Sequence, residues 1–161
     1  MLGLAPVTAG EFAAPFGLIR GRALTDEARG VRLALTVARL RRGDWAPAVS
    51  DPQYVAFATD DIVATAGRLA AAGAPLLPVP ENYADDLAAR FELAPELLAA
   101  IRRHGLMYDE DAAGGYLHLA TLVLGDRVFF EVVQRLGGYD GYGTADAPVR
   151  MAAHRRARAA R

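Results

Sequence analysis

Neither cysteine nor lysine occurs anywhere in the 161 residues. The first absence removes disulfides, zinc fingers and thiol catalysis together, and the second removes Schiff-base chemistry. Long apolar runs are missing as well, none approaching the roughly 20 residues that cross a bilayer. No one sign of charge prevails, because 18 basic residues, all arginine, stand against 19 acidic ones for a net charge of -1. A near-neutral chain gives no general electrostatic attraction to nucleic acid or to an anionic membrane, and neither partner is expected. The start, Met1 to Gly10, carries no basic segment followed by a sustained apolar one, so the chain reads as a soluble, cytoplasmic protein.

What is present suffices for a core: 53% of the residues are apolar, 23% are charged, and the length is that of one ordinary domain. Without thiolates, any metal would be held by oxygen and imidazole, which suits iron or manganese. Four arginines crowd the tail, at Arg155, Arg156, Arg158 and Arg161. They could bind phosphate, but they read more simply as a solvated last helical turn whose cations complement the helix dipole.

Residues 16–24 and 31–40 alternate arginines with β-formers around the turn-rich stretch 25–30, which predicts a hairpin. The polar loop 41–52, with the only tryptophan, Trp45, is the candidate mobile or lid segment, or a plain connector. A short apolar strand over 53–58 is followed by Thr59-Asp60-Asp61, which caps a helix through Ile62, Ala66, Leu69 and Ala70 that Gly73 ends. The pattern then predicts a strand over 74–79 interrupted by Pro78 and Pro80, helices over 83–91 and 95–103, and strands over 106–109, 116–124 and 128–135. A last helix from Ala147 packs back on the sheet.

The strand 128–135 places one carboxylate, Glu131, among apolar neighbours. Burying it alone would cost several kcal/mol, so a metal, a cation, a proton or a water-filled cavity must answer it. A two-residue turn at Gly125-Asp126 would set Leu124 opposite Arg127, Ala120 opposite Glu131 and His118 opposite Val133. In that register His118, Ala120, Leu122, Phe129, Glu131, Val133 and Arg135 share one side, with His118 diagonal to Glu131 at roughly 5–8 Å. A slip of one residue would part them.

Several of these segments are similar to the C-terminal, catalytic half of 4-hydroxyphenylpyruvate dioxygenase, of the vicinal oxygen chelate superfamily. They are 53–62, Leu77-Pro78 with Asn82-Tyr83, Leu106-Met107-Tyr108-Asp109, and Phe129-Phe130-Glu131 with Gln134-Arg135 and Gly141-Tyr142-Gly143. The resemblance implies an α+β fold of βαβββ modules, with a curved mixed sheet and helices outside. It makes the chain a single domain in which the second module is complete over 51–144. The first module is reduced to a remnant over 1–50 that lacks its first strand and helix, and 145–161 is the C-terminal helix.

The resemblance also implies Fe(II), held by two histidines and a glutamate with open positions for a 2-oxo acid and dioxygen. Glu131 matches the glutamate. Tyr54 stands at a family histidine position, and its phenol, with an ordinary pKa near ~10, is a poor iron ligand unless the metal deprotonates it. The other histidine belongs to the missing strand, and neither His104 nor His154 is expected to replace it. The substrate-binding positions implied are Gln53, His118, Gln134, Tyr142 and Asp146. His118 matches a pocket-lining glutamine, with a hydrogen-bonded core histidine as the alternative.

Asp146 and Ala147 fall where the family carries an asparagine and a phenylalanine, so a methyl group would open the pocket and remove a stacking surface. With Tyr139-Asp140-Gly141-Tyr142 and Ala147-Pro148-Val149-Arg150, this looks more like the dioxygenase-like domain fused to sugar phosphate isomerase type 3-dehydroshikimate dehydratases. Two functions are therefore expected. One is an iron-dependent 2-oxo acid dioxygenase with an incomplete ligand set, in which Glu131 holds metal, Gln53 and His118 orient a small organic acid, and Arg20 or Arg135 pairs with its carboxylate. The other is a non-catalytic small-acid-binding, regulatory or dimerisation module in which Glu131 is neutral or paired with an arginine. A half-module leaves a sheet edge open, which predicts a homodimer or larger homo-oligomer.

Overall fold

The computed structural model describes residues 3–14, 17–39, 45–47, 53–125 and 127–160. They divide into two compact units, residues 1–51 and 52–161.

The first unit is an antiparallel sheet in the order β1 (Ala5–Ala14), β2 (Gly17–Thr25), β3 (Arg32–Arg39) and β4 (Trp45–Pro47). The expected hairpin is β2–β3, with Leu18 opposite Arg39 and Thr25 opposite Arg32. Its turn is closed by local polar chemistry: the Asp26 carboxylate accepts the Val31 N–H at 2.8 Å, and the Thr25 hydroxyl donates to the Val31 carbonyl at 2.9 Å. β1 sets three β-formers, Val7, Thr8 and Phe12, among alanines, proline and glycine, and pairing with β2 along its length completes it. Arg20, a candidate partner for a substrate carboxylate, instead bonds Glu11 at 2.8 Å on the exposed surface. Within the expected lid, Trp45–Pro47 pairs with β3; the rest of that loop lies outside the described residues.

The second unit has the βαβββ order. Its sheet runs β5 (Gln53–Ala58), β8 (Val128–Arg135), β7 (Gly114–Ala120), β6 (Met107–Asp111), with β5 parallel to β8 and the other pairs antiparallel. Helix α1 (Ile62–Ala71) begins where Asp61 accepts the Ala64 N–H at 2.9 Å and ends just before Gly73, whose φ is +72°. Helices α2 (Tyr83–Arg90) and α3 (Pro95–His104) follow, the latter opened by proline and closed by the left-handed Gly105. No strand forms over 74–79. Leu76 makes one isolated bridge to Thr121, because Pro75, Pro78 and Pro80 have no N–H for a ladder.

The decisive register is as expected, with Ala120 opposite Glu131 and His118 opposite Val133. The turn that was to set it differs. Leu124 bridges Val128 rather than Arg127, and β7 stops at Ala120. Leu122 and Val123 leave the ladder between these two pairings and absorb the one-residue offset, so the longer turn does not propagate into the strands.

The two faces of this sheet are covered differently. Leu117, Leu119, Val132 and Gln134 share the face that receives α1, in a core with Ile62, Ala66 and Ile101. Tyr116, His118, Ala120, Phe129, Glu131, Val133 and Arg135 share the other, extended by Tyr54 and Ala56 of β5. Helix α4 (Ala147–Ala159) lies over that second face, its His154 ring 4.6 Å from Phe129 and its Nε2 3.0 Å from the Thr121 carbonyl. No helix among the described residues is long and apolar enough to cross a membrane.

Candidate functional site

Glu131 is 3% exposed, and it is answered by protein rather than left alone. The Arg150 Nε, delivered from the first turn of α4, lies 3.1 Å from Glu131 Oε1, and His118 Nδ1 lies 3.8 Å from the same oxygen. The other imidazole nitrogen, Nε2, is 3.1 Å from Asp146 Oδ2. Asp146 accepts in turn from the Tyr83 hydroxyl at 2.7 Å, and that hydroxyl accepts the Tyr108 backbone N–H at 2.8 Å. A line of buried polar groups therefore runs Tyr83, Asp146, His118, Glu131, Arg150; its last two links are charge contacts rather than hydrogen bonds, and His118 Nδ1 and Glu131 Oε1 are buried without a hydrogen-bond partner.

These contacts settle the protonation states. Burial alone would push the His118 pKa down, but its contacts with Asp146 and Glu131 outweigh that and raise it to about 9. Burial alone would push Glu131 up; His118 and Arg150 overcome it and hold the carboxyl below its ordinary range. At neutral pH His118 is thus an imidazolium with a proton on both nitrogens, and Glu131 is an anion. His154, by contrast, is kept neutral by burial and by the nearby Arg150 charge.

Backbone geometry brings these groups together. Gly143 adopts φ +59°, and a Cβ there would sit 2.5 Å from a Tyr116 ring carbon and 3.6 Å from His118 Nε2. Only glycine lets the chain pass this closely before a 3₁₀ turn, Thr144–Asp146, hands Asp146 to the imidazole. Tyr139 pins the same loop, stacking on Tyr116 at 5.1 Å and accepting the Gly143 N–H at 3.1 Å.

Of the positions expected at the site, the structure unites Tyr54, His118, Glu131 and Asp146 on one face. Tyr54 stacks on Phe129 at 5.0 Å, with the Arg150 guanidinium 5.1 Å from its ring centre. Desolvation and the Glu131 carboxylate raise its phenol above the ordinary range, so it presents no anionic oxygen. Tyr142 lies near enough to influence that phenol. Gln53 is a correction: it pairs with Val128 and so points to the opposite side from Glu131, exposed at the sheet edge. Gln134 is another. Its side-chain oxygen accepts the Ile62 N–H at 3.0 Å and its amide donates to the Asp60 carbonyl at 2.5 Å, which ties down the start of α1 on the far face. Ala147 is buried, and a cavity lined by Leu122, Val123, His154, Ala157 and Arg158 measures about 10 Å³, room for one water.

Sequence reading missed Arg150 and Tyr83 as partners: it allowed Glu131 an arginine without naming one, and offered Arg20 or Arg135 to a substrate carboxylate. The missed signal is a helical stripe: Asp146, Arg150 and His154 recur every fourth residue, so one face of the last helix carries all three to the sheet.

The fold and the single inward glutamate on the last strand define a vicinal oxygen chelate module. No family model matches the chain. The 3-dehydroshikimate dehydratases of Pseudomonas putida and Pseudomonas aeruginosa are 42% and 41% identical to it over 150 residues, 89% of this chain. The 4-hydroxyphenylpyruvate dioxygenase of Aspergillus fumigatus is 34% identical over 100 residues, 58% of this chain. This chain spans about a quarter of the length of each, 24% of the dehydratases and 25% of the dioxygenase. A xylose isomerase-like TIM barrel/4-hydroxyphenylpyruvate dioxygenase fusion protein superposes with a TM-score of 0.76 at 36% identity, over 94% of this chain and 25% of its own. A mutant 4-hydroxymandelate synthase from Streptomyces coelicolor reaches the same TM-score at 19% identity, over 96% of this chain and 46% of its own, and attests the fold alone. The chain belongs to the 4-hydroxyphenylpyruvate dioxygenase-like domains, homologous to the corresponding part of the 3-dehydroshikimate dehydratases.

That kinship implies Fe(II), and the donor set does not fit it. Glu131 Oε1 already faces the Arg150 guanidinium at 3.1 Å, His118 Nε2 is engaged by Asp146, and a phenol stands at Tyr54; among the described residues no three His, Asp or Glu side chains are grouped to hold a metal. A second cation would have to displace Arg150 from Glu131.

Proposed function

We propose that this chain is a non-oxygenase module of the dioxygenase-like fold, serving assembly or regulation in a protein of the 3-dehydroshikimate dehydratase type. The observation that carries the reading is the 3.1 Å Arg150–Glu131 pair, which uses the family's metal-binding carboxylate for internal structure. An open sheet edge supports the same role. Strand β5 is a sheet edge with all 6 residues exposed, Val55 and Phe57 at 49% and 56%, and such an edge invites a further strand. The proposed setting is the cytoplasm, with a homodimer or larger homo-oligomer as the working form.

The test is oxygen uptake by the purified protein supplied with Fe(II) and 2-oxo acids, 4-hydroxyphenylpyruvate included, alongside sedimentation. No uptake above buffer and a dimer or larger species are expected. Turnover that Glu131→Ala abolishes would restore the dioxygenase reading, and a monomer at all concentrations would remove assembly.

A small-acid-binding role has one observation in its favour. Arg135, on the Glu131 face, bonds the Gly141 carbonyl at 3.1 Å through a terminal nitrogen, yet its Nε is buried without a hydrogen-bond partner. A carboxylate reaching that nitrogen would satisfy it. Thermal shifts with 2-oxo and hydroxy acids, lost in Arg135→Leu, test this role; no shift with any of them ends it.

A further inference from the structure

We infer that the Arg150 guanidinium is the built-in cation of this fold's metal position, so that docking of the C-terminal helix replaces metal loading as the event that completes the Glu131 face. Three contacts hold the group there. Its Nε is 3.1 Å from Glu131 Oε1, and its central carbon lies 4.9 Å from the Phe129 ring centre and 5.1 Å from that of Tyr54, while those two rings stack at 5.0 Å. A carboxylate on one side and two aromatic rings on another form a site shaped for a planar cation. The Arg150 side chain is 12% exposed and that of Glu131 4%, so solvent does little to screen the pair.

The position of Arg150 explains why this substitution of one cation for another holds together. One turn before it, Asp146 anchors the start of α4 to His118 and Tyr83; one turn after it, His154 packs on Phe129 and bonds Thr121. The same stripe that fastens the helix aims the guanidinium. A metal can be added or withdrawn, whereas a cation on the chain arrives whenever the helix docks. The inference concerns what occupies the position and does not depend on whether the module assembles or regulates.

Charge must be separated from packing, and four variants do so: Arg150→Lys, Arg150→Met, Glu131→Gln and the double change Glu131→Gln with Arg150→Met. Methionine keeps much of the aliphatic contact with the rings but leaves Glu131 short of a cation. Arg150→Met should therefore lower the melting temperature by about 5–10 °C, since breaking a buried pair costs far more than removing both members. Arg150→Lys should retain more than half of that difference, and the double variant should return to within about 3 °C of the parent. Iron, manganese, cobalt and zinc, each offered in excess to the parent protein and measured after desalting, should stay below about one-tenth equivalent per chain.

Two results would overturn the inference. One is stoichiometric metal in the parent protein that Glu131→Gln removes; the other is Arg150→Met melting with the parent, which would reduce Arg150 to packing. Either could occur without any oxygen uptake, leaving the non-oxygenase reading in place. Failure of self-association would conversely leave this inference untouched.

Discussion

The two faces of the β5–β8–β7–β6 sheet are built from alternate residues of the same strands and are stabilised by different physics. On the α1 side, Leu117, Leu119 and Val132 join an apolar core, Gln134 bonds only backbone at the helix start, and the Tyr108 hydroxyl donates to Glu110 at the rim. On the α4 side, the same strands bury His118 and Glu131, and the loop adds Asp146, all at 3% exposure or less. The first face tolerates any side chains of suitable volume. The second needs a complete set of charges, because any one of them left unanswered in a dry interior costs more than a lost contact.

That contrast can be broken most directly at Asp146. Asp146→Ala strands the His118 imidazolium and the Tyr83 hydroxyl together, and should cost about 3–5 kcal/mol in urea unfolding. A loss under about 1 kcal/mol would mean that the line of polar groups is ornamental. Next in size is the dependence on pH. The His118 pKa, raised from 6.5 to about 9, makes its contribution full below pH 6.5 and lost as pH climbs through 9, on the order of 3 kcal/mol. Glu131, held below the ordinary carboxylate value of 4.5, loses its own contribution only as pH falls beneath that value. Stability should therefore peak between about pH 4.5 and 6.5 and decline above, and His118→Gln should flatten the alkaline limb; an unchanged slope in that variant would assign the decline elsewhere.

Smaller still is Gly143→Ala, where the added methyl meets Tyr116 and the left-handed backbone disfavours it. About 2 kcal/mol should be lost, together with the upfield shift that ring stacking gives the His118 protons. Retention of those NMR shifts at full stability would show that the loop can yield. Smallest should be Gln134→Ala on the apolar face, about 1 kcal/mol, read as faster amide exchange confined to the first turn of α1. If it matched Asp146→Ala in cost, the two faces would not differ as described.

Much of the arrangement was legible in the chain. Alternation in 128–135 put Glu131 inward, the Thr59-Asp60-Asp61 cap and Gly73 bounded α1, and the pairing of His118 with Val133 followed from turn chemistry and period alone. The turn itself was misjudged, yet the register held because the irregular Leu122-Val123 stretch took up the difference. Less legible was β1, whose alanines, Pro6 and Gly10 dilute its few β-formers, and the stretch 74–79, where apolar content suggested a strand that Pro75 and Pro78, with Pro80 just beyond, prevent. Gln53 and Gln134 were placed at the site by likeness to other proteins; strand pairing and helix capping put both on the opposite face.

By itself the sequence determined that a lone carboxylate would be buried and would demand a counter-charge, since that follows from side-chain period and the cost of desolvation. By containing no lysine it also limited any side-chain cation to arginine or histidine, beside a metal, a proton or water. Which of these answers Glu131 was decided only by the docking of α4, because a contact between residues 131 and 150 depends on how a helix crosses a sheet, and no local pattern encodes that angle.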